Sequence, residues 1–244
     1  MVKVADNNTL KENSNNEYRY ERKFIFSNIH FSDLIEKLYL NSFCFTEIFA
    51  ERKINNVYFD DNDLSFYRQN VMGIGSRLKY RLRWYGKDFS LIKAPVIEIK
   101  KKEGDVGDKV RHKLKNVSFN LDTNSTAELH KIIIDDLDDN LFMKNKFYQL
   151  QPALLSSYER RYFLSFCGRY RVTLDYNQEF FNPNYVNYKD SKRTIDNNII
   201  VLELKYSVNE DVDSRIITQQ LGERVSKNSK YVNGIDLIHD QITF

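Results

Sequence analysis

The run from Arg77 to Lys102, RLKYRLRWYGKDFSLIKAPVIEIKKK, constrains the fold more than any other stretch of the chain. At a period of two, Arg77, Lys79, Arg81 and Arg83 share one face, and Leu78, Tyr80, Leu82 and Trp84 share the other. That alternation belongs to a strand with one apolar face. Here the second face is wholly cationic. Past a turn at Gly86-Lys87-Asp88, a second strand sets Glu98, Lys100 and Lys102 opposite Ile97 and Ile99. A sheet face this charged either lies open to water or holds something anionic.

The pattern recurs along the chain. From Glu17 to Phe26, Glu17, Arg19, Glu21 and Lys23 face one way; Tyr18, Tyr20, Phe24 and Phe26 face the other, interrupted by Arg22. Residues Glu103 to Asp108 read as a hairpin turn, and the return strand carries Lys109, Arg111, Lys113 and Lys115 on one face. Further strands are expected near Lys53–Phe59, Ala153–Phe166, Arg171–Asp175 and Ile199–Tyr206, the last with Glu203 and Lys205 opposite Leu202 and Leu204. Helices are expected at Ser32–Asn41, with Ser32 as N-cap, and near Leu64–Gln69, Thr126–Leu137, Val212–Leu221 and Tyr231–His239. The stretch Asn177–Asn198 reads as a long loop with an irregular hairpin. The sequence GIGS at Gly73–Ser76 lacks the rest of the GxxxxGK[ST] phosphate loop, so it is read as a turn feeding the cationic strand.

With 244 residues, 41% hydrophobic and only 8 Gly and 3 Pro, the chain can build a sizeable core. A polar N-terminal tail, 1–16, is expected to be disordered, and 17–244 to form a single domain. Cys44 and Cys167 lie far apart among hydrophobic neighbours, which predicts buried free thiols in a reducing compartment. No run approaches the roughly 18 apolar residues of a membrane span. A cytoplasmic protein with no membrane span of its own is the expectation.

Helices need an apolar sheet face to pack on. Helices outside therefore leave the charged faces inside, where a dry interior would make them costly. The resolution is an α+β fold: an antiparallel β-barrel of about eight strands, helices packed outside, wide enough for water and an anionic ligand. Carboxylates among the bases (Glu21, Glu98, Glu203 and Asp175) suit a hard cation that prefers oxygen ligands. A triphosphate-like ligand with a divalent metal follows.

At these residues the chain resembles the VTC (vacuolar transporter chaperone) domain, the polyphosphate polymerase branch of the triphosphate tunnel metalloenzymes, which also include the CYTH proteins. The resemblance runs from about Tyr18 to His239 and rests on motifs in the family's order: YERK at Tyr20–Lys23, YRLRWYG at Tyr80–Gly86, IEIKKK at Ile97–Lys102, SYERRYF at Ser157–Phe163, RVTLD at Arg171–Asp175, VLELKY at Val201–Tyr206 and KNSKY at Lys227–Tyr231. It implies a catalytic lysine at Lys23, a paired-arginine strand at Arg81 and Arg83, and a Tyr-x-Arg element at Tyr158 and Arg160. It implies a metal-binding glutamate at Glu203 and a terminal phosphate clamp at Lys227, Ser229 and Lys230. Lys79, Glu98, Lys100, Arg171 and Lys205 complete the expected substrate-binding set. Glu98 has two readings, metal ligand or structural ion pair; Lys113 and Lys115 are either at the tunnel mouth or on a solvated edge.

Arg19 replaces the first glutamate of the CYTH Glu-x-Glu-x-Lys strand, which favours the VTC branch. Eukaryotic relatives carry a regulatory SPX domain and membrane helices; neither is seen here, so vacuolar translocation is not implied. The implied activity is transfer of the γ-phosphate of ATP to a growing polyphosphate chain, with Mn²⁺ or Mg²⁺ as cofactor. The implied partners are ATP, phosphate or pyrophosphate, and polyphosphate. A triphosphatase of the same fold and a non-catalytic polyphosphate-binding module are the alternatives. Nucleic-acid binding is disfavoured, since no recognised module is present and the interspersed carboxylates repel a phosphate backbone.

Overall fold

A computed structural model describes residues 19–103, 106–114, 117–185, 187–195 and 198–239. The tail expected at 1–16, and Lys115, lie outside them. The strands are β1 (Arg19–Phe26), β2 (Thr46–Asp60), β3 (Ser76–Tyr85), β4 (Ile92–Lys93), β5 (Val96–Glu103), β6 (Val106–Lys113), β7 (Ser118–Phe119), β8 (Gln151–Leu164), β9 (Arg171–Phe181), β10 (Arg193–Thr194) and β11 (Ile200–Ser207). The α-helices are α1 (Phe31–Tyr39), α2 (Ser65–Val71), α3 (Thr126–Asp136), α4 (Leu141–Phe147), α5 (Asp211–Leu221) and α6 (Lys230–His239).

One antiparallel sheet dominates, in the order β1-β11-β9-β8-β2-β3-β5-β6, with β10 returning onto β9. Its outer face is apolar, as the alternation requires. Val57, Leu82, Trp84 and Ile97 pack there against Leu129 and Ile133 of α3 and Phe147 of α4. At the other end of the sheet, Phe24, Val172, Leu202 and Leu204 pack against Leu34 and Leu38 of α1 and Ile217 and Leu221 of α5. Arg22, the interruption in the outer face of β1, pairs with Asp211 at 2.6 Å and lies over the Tyr206 ring. Asn55, also on this face, fastens the Gly86–Asp88 turn by donating to the carbonyls of Gly86 and Asp88.

The structure corrects the sequence reading in four places. The sheet is not a closed barrel. Bulges in the β2–β8 pairing curl it, bringing Cα atoms of β1 and β6 within 8 Å of each other, but among the described residues no backbone ladder joins these edges. Side chains span the gap instead, with Lys100 of β5 meeting Glu21 of β1 at 3.1 Å. Second, α6 does not pack outside. The inner rows of β2, β8 and β9 turn apolar at Tyr58, Leu154 and Phe180, and these need covering. Tyr231, Ile235 and Ile238 of α6 cover them. Gly234 permits the approach, since a Cβ there would stand 2.4 Å from a Leu154 methyl. Third, both cysteines are exposed free thiols. They flank the end of the β2–β8 ribbon, in turns that run past the core. Fourth, α1 is capped at His30 without a side-chain bond, and Ser32 falls inside the helix, bonded to Asp33.

Candidate active site

Period-two alternation puts every second residue of each strand on the inner face, and the register decides which of them meet. Arg81 pairs across the ladder with Glu98, Lys79 with Lys100, Asn56 with Arg83, and Lys23 with Glu203. On one side of the hollow, Arg81 approaches Glu98 at 2.5 Å and Arg83 approaches it at 3.5 Å, while Lys109 and Arg111 of β6 take its second oxygen. Asn56 holds Arg83 by accepting from its Nε at 3.1 Å, and the Tyr158 hydroxyl accepts from its Nη2 at 3.1 Å.

On the facing side, Lys23 stands between Glu21 and Glu203, 3.3 Å from each, and donates to the Asn228 carbonyl at 2.9 Å. Lys205 lies 2.9 Å from Glu203. Arg160 forks onto Asp175 and reaches Glu203 at 3.4 Å, and Lys230 at the head of α6 takes Asp175 from the other side. Lys230 also stands 4.6 Å from the Tyr158 ring centre. Ser229 accepts from Lys79 at 2.8 Å. The segment Val225–Ser229 reaches this face because Val225 bridges to Phe24 and Ser226 donates to the Lys23 carbonyl at 2.8 Å.

The structure therefore brings together Lys23, Lys79, Arg81, Arg83, Glu98, Lys100, Tyr158, Arg160, Glu203, Lys205, Ser229 and Lys230. Two expected residues stand apart. Arg171 sits opposite Lys205 but is exposed, and Lys227 is exposed in the segment before α6. Basic groups occupy both oxygens of Glu98, as they do both oxygens of Glu203. The sequence reading placed Asp175 only among the carboxylates that suit a cation, not as the link between Arg160 and Lys230, and gave no site role to Asn56. The signal for Asn56 was an asparagine pair inside an otherwise apolar strand.

The electrostatics follow from crowding. Burial alone would raise the Glu203 carboxyl, but Lys205, Lys23, Arg160 and Lys230 outweigh it and hold the group far below the ordinary carboxylate range. Glu98 is likewise depressed against its burial by Arg81, Arg83 and Lys109. Burial would lower Lys23, yet Glu203 and Glu21 raise it. Lys79 lacks such help: burial, then the charges of Lys23, Lys100, Arg77 and Arg81, push it down to about 6.

A prediction follows for anion binding. Pushed down to about 6, Lys79 should be neutral at pH 8 in the free protein and should regain its charge beside a bound phosphate, so binding should take up a proton there. Affinity for inorganic tripolyphosphate should fall as pH rises from 7.5 to 9.5. Calorimetry at pH 8 in two buffers of different ionisation heat measures the uptake; no proton uptake would contradict the assignment.

The carboxylates bear on a metal. Among the described residues, no group of three or more His, Cys, Asp or Glu side chains could hold an ion unaided. Glu203 and Glu21, drawn together by Lys23, offer a sparser donor set. It fits an ion that keeps few protein ligands and takes the rest from bound phosphates, the habit of Mg²⁺.

Comparison with known proteins bears on the family and the fold. A model of the VTC domain matches residues 18–239. A candidate adenylate cyclase from Vibrio parahaemolyticus has a similar fold, with a TM-score of 0.50 at 11% identity over 88% of this chain and 97% of that one. A candidate adenylyl cyclase from Hippeastrum, described as having a dominant triphosphatase activity, gives 0.48 at 12% identity over 88% and 93%. A protein from Pyrococcus horikoshii gives 0.45 at 11% over 87% and 96%. No curated protein matches the chain. With a single family model spanning all the strands of the charged sheet, the chain belongs to the VTC domain family.

Proposed function

We propose that the chain is a polyphosphate polymerase that moves the γ-phosphoryl group of ATP onto the end of a growing inorganic polyphosphate chain. The observation that supports this best is the convergence of basic side chains from facing strands on one hollow, in a chain of this family. Phosphoryl transfer asks a protein mainly for positioning and charge neutralisation. Arg81, Arg83 and Arg160 are suited to fork onto phosphate oxygens. Lys23 stands beside the carboxylates and acts as a point charge on the transferred group. Lys79, Lys100, Lys205, Ser229 and Lys230 hold the rest of the phosphate chain, with Tyr158 orienting Arg83 and Lys230. Arg171 and Lys227 act at the periphery, where both are exposed.

In the reaction, a terminal oxygen of the acceptor forms a bond to the γ-phosphorus. The bond from that phosphorus to the β–γ bridging oxygen breaks, and ADP leaves with the electron pair. Glu203, with Glu21 beside it, would hold Mn²⁺ or Mg²⁺ carried by the donor phosphates. When bound, that ion offsets the charge that develops on the phosphate oxygens. The acceptor is phosphate, pyrophosphate or an existing polymer.

A polymer assay tests the proposal. The purified protein, ATP and Mn²⁺ or Mg²⁺ should yield long-chain polyphosphate on a gel. Free phosphate without polymer would replace the proposal with a triphosphatase of the same fold. Tight polyphosphate binding without turnover would leave a binding module.

A further inference from the structure

The inner row of β2 runs from Tyr58, stacked on Tyr231 of α6, through Asn56 and Ile54 to Arg52. One end of the hollow is thus covered by α6, and Arg52 marks the other. Its setting differs from that of the arginines deeper inside, Arg81, Arg83 and Arg160, which all pair with carboxylates. Its guanidinium carbon lies 5.0 Å from the ring centre of Phe49, 5.5 Å from Tyr162 and 5.6 Å from Tyr85. Among the described residues, no carboxylate stands within ion-pair distance of it. Arg160, its cross-strand neighbour, is by contrast neutralised by Asp175.

Two of the surrounding rings face water. Phe49 is 44% exposed and Tyr85 54% exposed. Exposed π surface offers nothing to an inorganic phosphate, which is bound by charge and hydrogen bonds. It suits a flat aromatic ligand, and so does a guanidinium seated against rings. The spacing agrees. Arg52 lies four residues along β2 from Asn56, the partner of Arg83, or about 13 Å at 3.3 Å per residue. A phosphate chain on Arg81, Arg83 and Arg160 would then extend its other end toward this mouth.

We infer that Arg52, with Phe49, Tyr85 and Tyr162, forms a stacking platform for the base of a nucleoside triphosphate whose phosphates occupy the charged hollow. The platform makes the ligand a nucleotide rather than bare triphosphate. It rests on the phosphate-binding role proposed above and adds the subsite that separates the two ligand classes. Stacking tolerates any base, because every base has a π face, so ATP and GTP should bind with similar affinity.

Calorimetric titration of the full chain with ATP and with inorganic tripolyphosphate tests this. Wild type should bind ATP about tenfold or more tightly than Arg52→Ala does, since base–aromatic stacking is typically worth that much. Tripolyphosphate affinity should change by no more than about twofold at this exposed position. Phe49→Ala and Tyr85→Leu leave the charge unchanged and should show the same selective loss. Equal losses for both ligands in Arg52→Ala, with no loss in the ring variants, would make Arg52 a phosphate contact and overturn the platform. So would unchanged ATP binding in all three variants. Wild type that binds neither ligand would instead defeat the phosphate-binding role itself.

Discussion

Replacing Asp175 by alanine should destabilise the protein by about 3–5 kcal/mol, the cost of leaving buried charges without their partner. The carboxylate is fully buried, and it is shared by Arg160 and Lys230, whose side chains are 10% and 8% exposed. Its removal leaves Lys230 without its ion-pair partner and Arg160 with only the longer contact to Glu203, at 3.4 Å. For a chain of this size the midpoint of thermal unfolding should fall by roughly 10 °C. The loss should also be partly recoverable. A polyanion in the hollow can neutralise both cations, and a ligand at about 100 times its Kd adds about 2.7 kcal/mol of stability. Tripolyphosphate should therefore raise the midpoint more in Asp175→Ala than in wild type. Scanning calorimetry with and without the ligand checks this; a variant as stable as wild type would mean that the link among Arg160, Asp175 and Lys230 contributes little.

Glu203→Gln should separate binding from turnover. Glu203 is buried among Lys23, Lys205 and Arg160. Those bases keep other partners (Lys23 and Lys205 have Glu21, Arg160 has Asp175), so the fold should survive. Removing one negative charge from a cationic hollow should tighten metal-free tripolyphosphate binding severalfold. Turnover should fall by about 10²-fold or more, because the proposed metal ligand is gone and charge on the transferred group is no longer offset. Equal losses in binding and turnover would reduce Glu203 to a structural ion pair.

Much of this was legible in the chain, and physical reasons account for the rest. Alternation in RLKYRLRWY and VLELKY marks both faces of β3 and β11, because a strand's period is two whatever it pairs with. Pairing itself is not written locally. Asp175 is a site residue only because β8 and β9 set it opposite Arg160. The inner position of α6 was missed because its stripe of Tyr231, Ile235 and Ile238 looks like that of any amphipathic helix. The clue lay elsewhere: the row through Arg160, Tyr158 and Ser156 ends in Leu154, an apolar patch on a charged face. The barrel expectation failed at its seam, where closure depends on whether two edge strands reach hydrogen-bonding distance. Hydrophobic neighbours suggested that Cys44 and Cys167 are buried, but both sit in turns beyond the core.

The central claim is that a phosphate chain lies on the inner face of the sheet. Acylation of lysines with and without inorganic polyphosphate, read residue by residue by mass spectrometry, tests it most directly. The account predicts protection of Lys79, Lys100 and Lys205, with the exposed Lys37, Lys131 and Lys146 of the outer helices labelled equally in both states. Protection of the helix lysines, with Lys79, Lys100 and Lys205 unchanged, would contradict it.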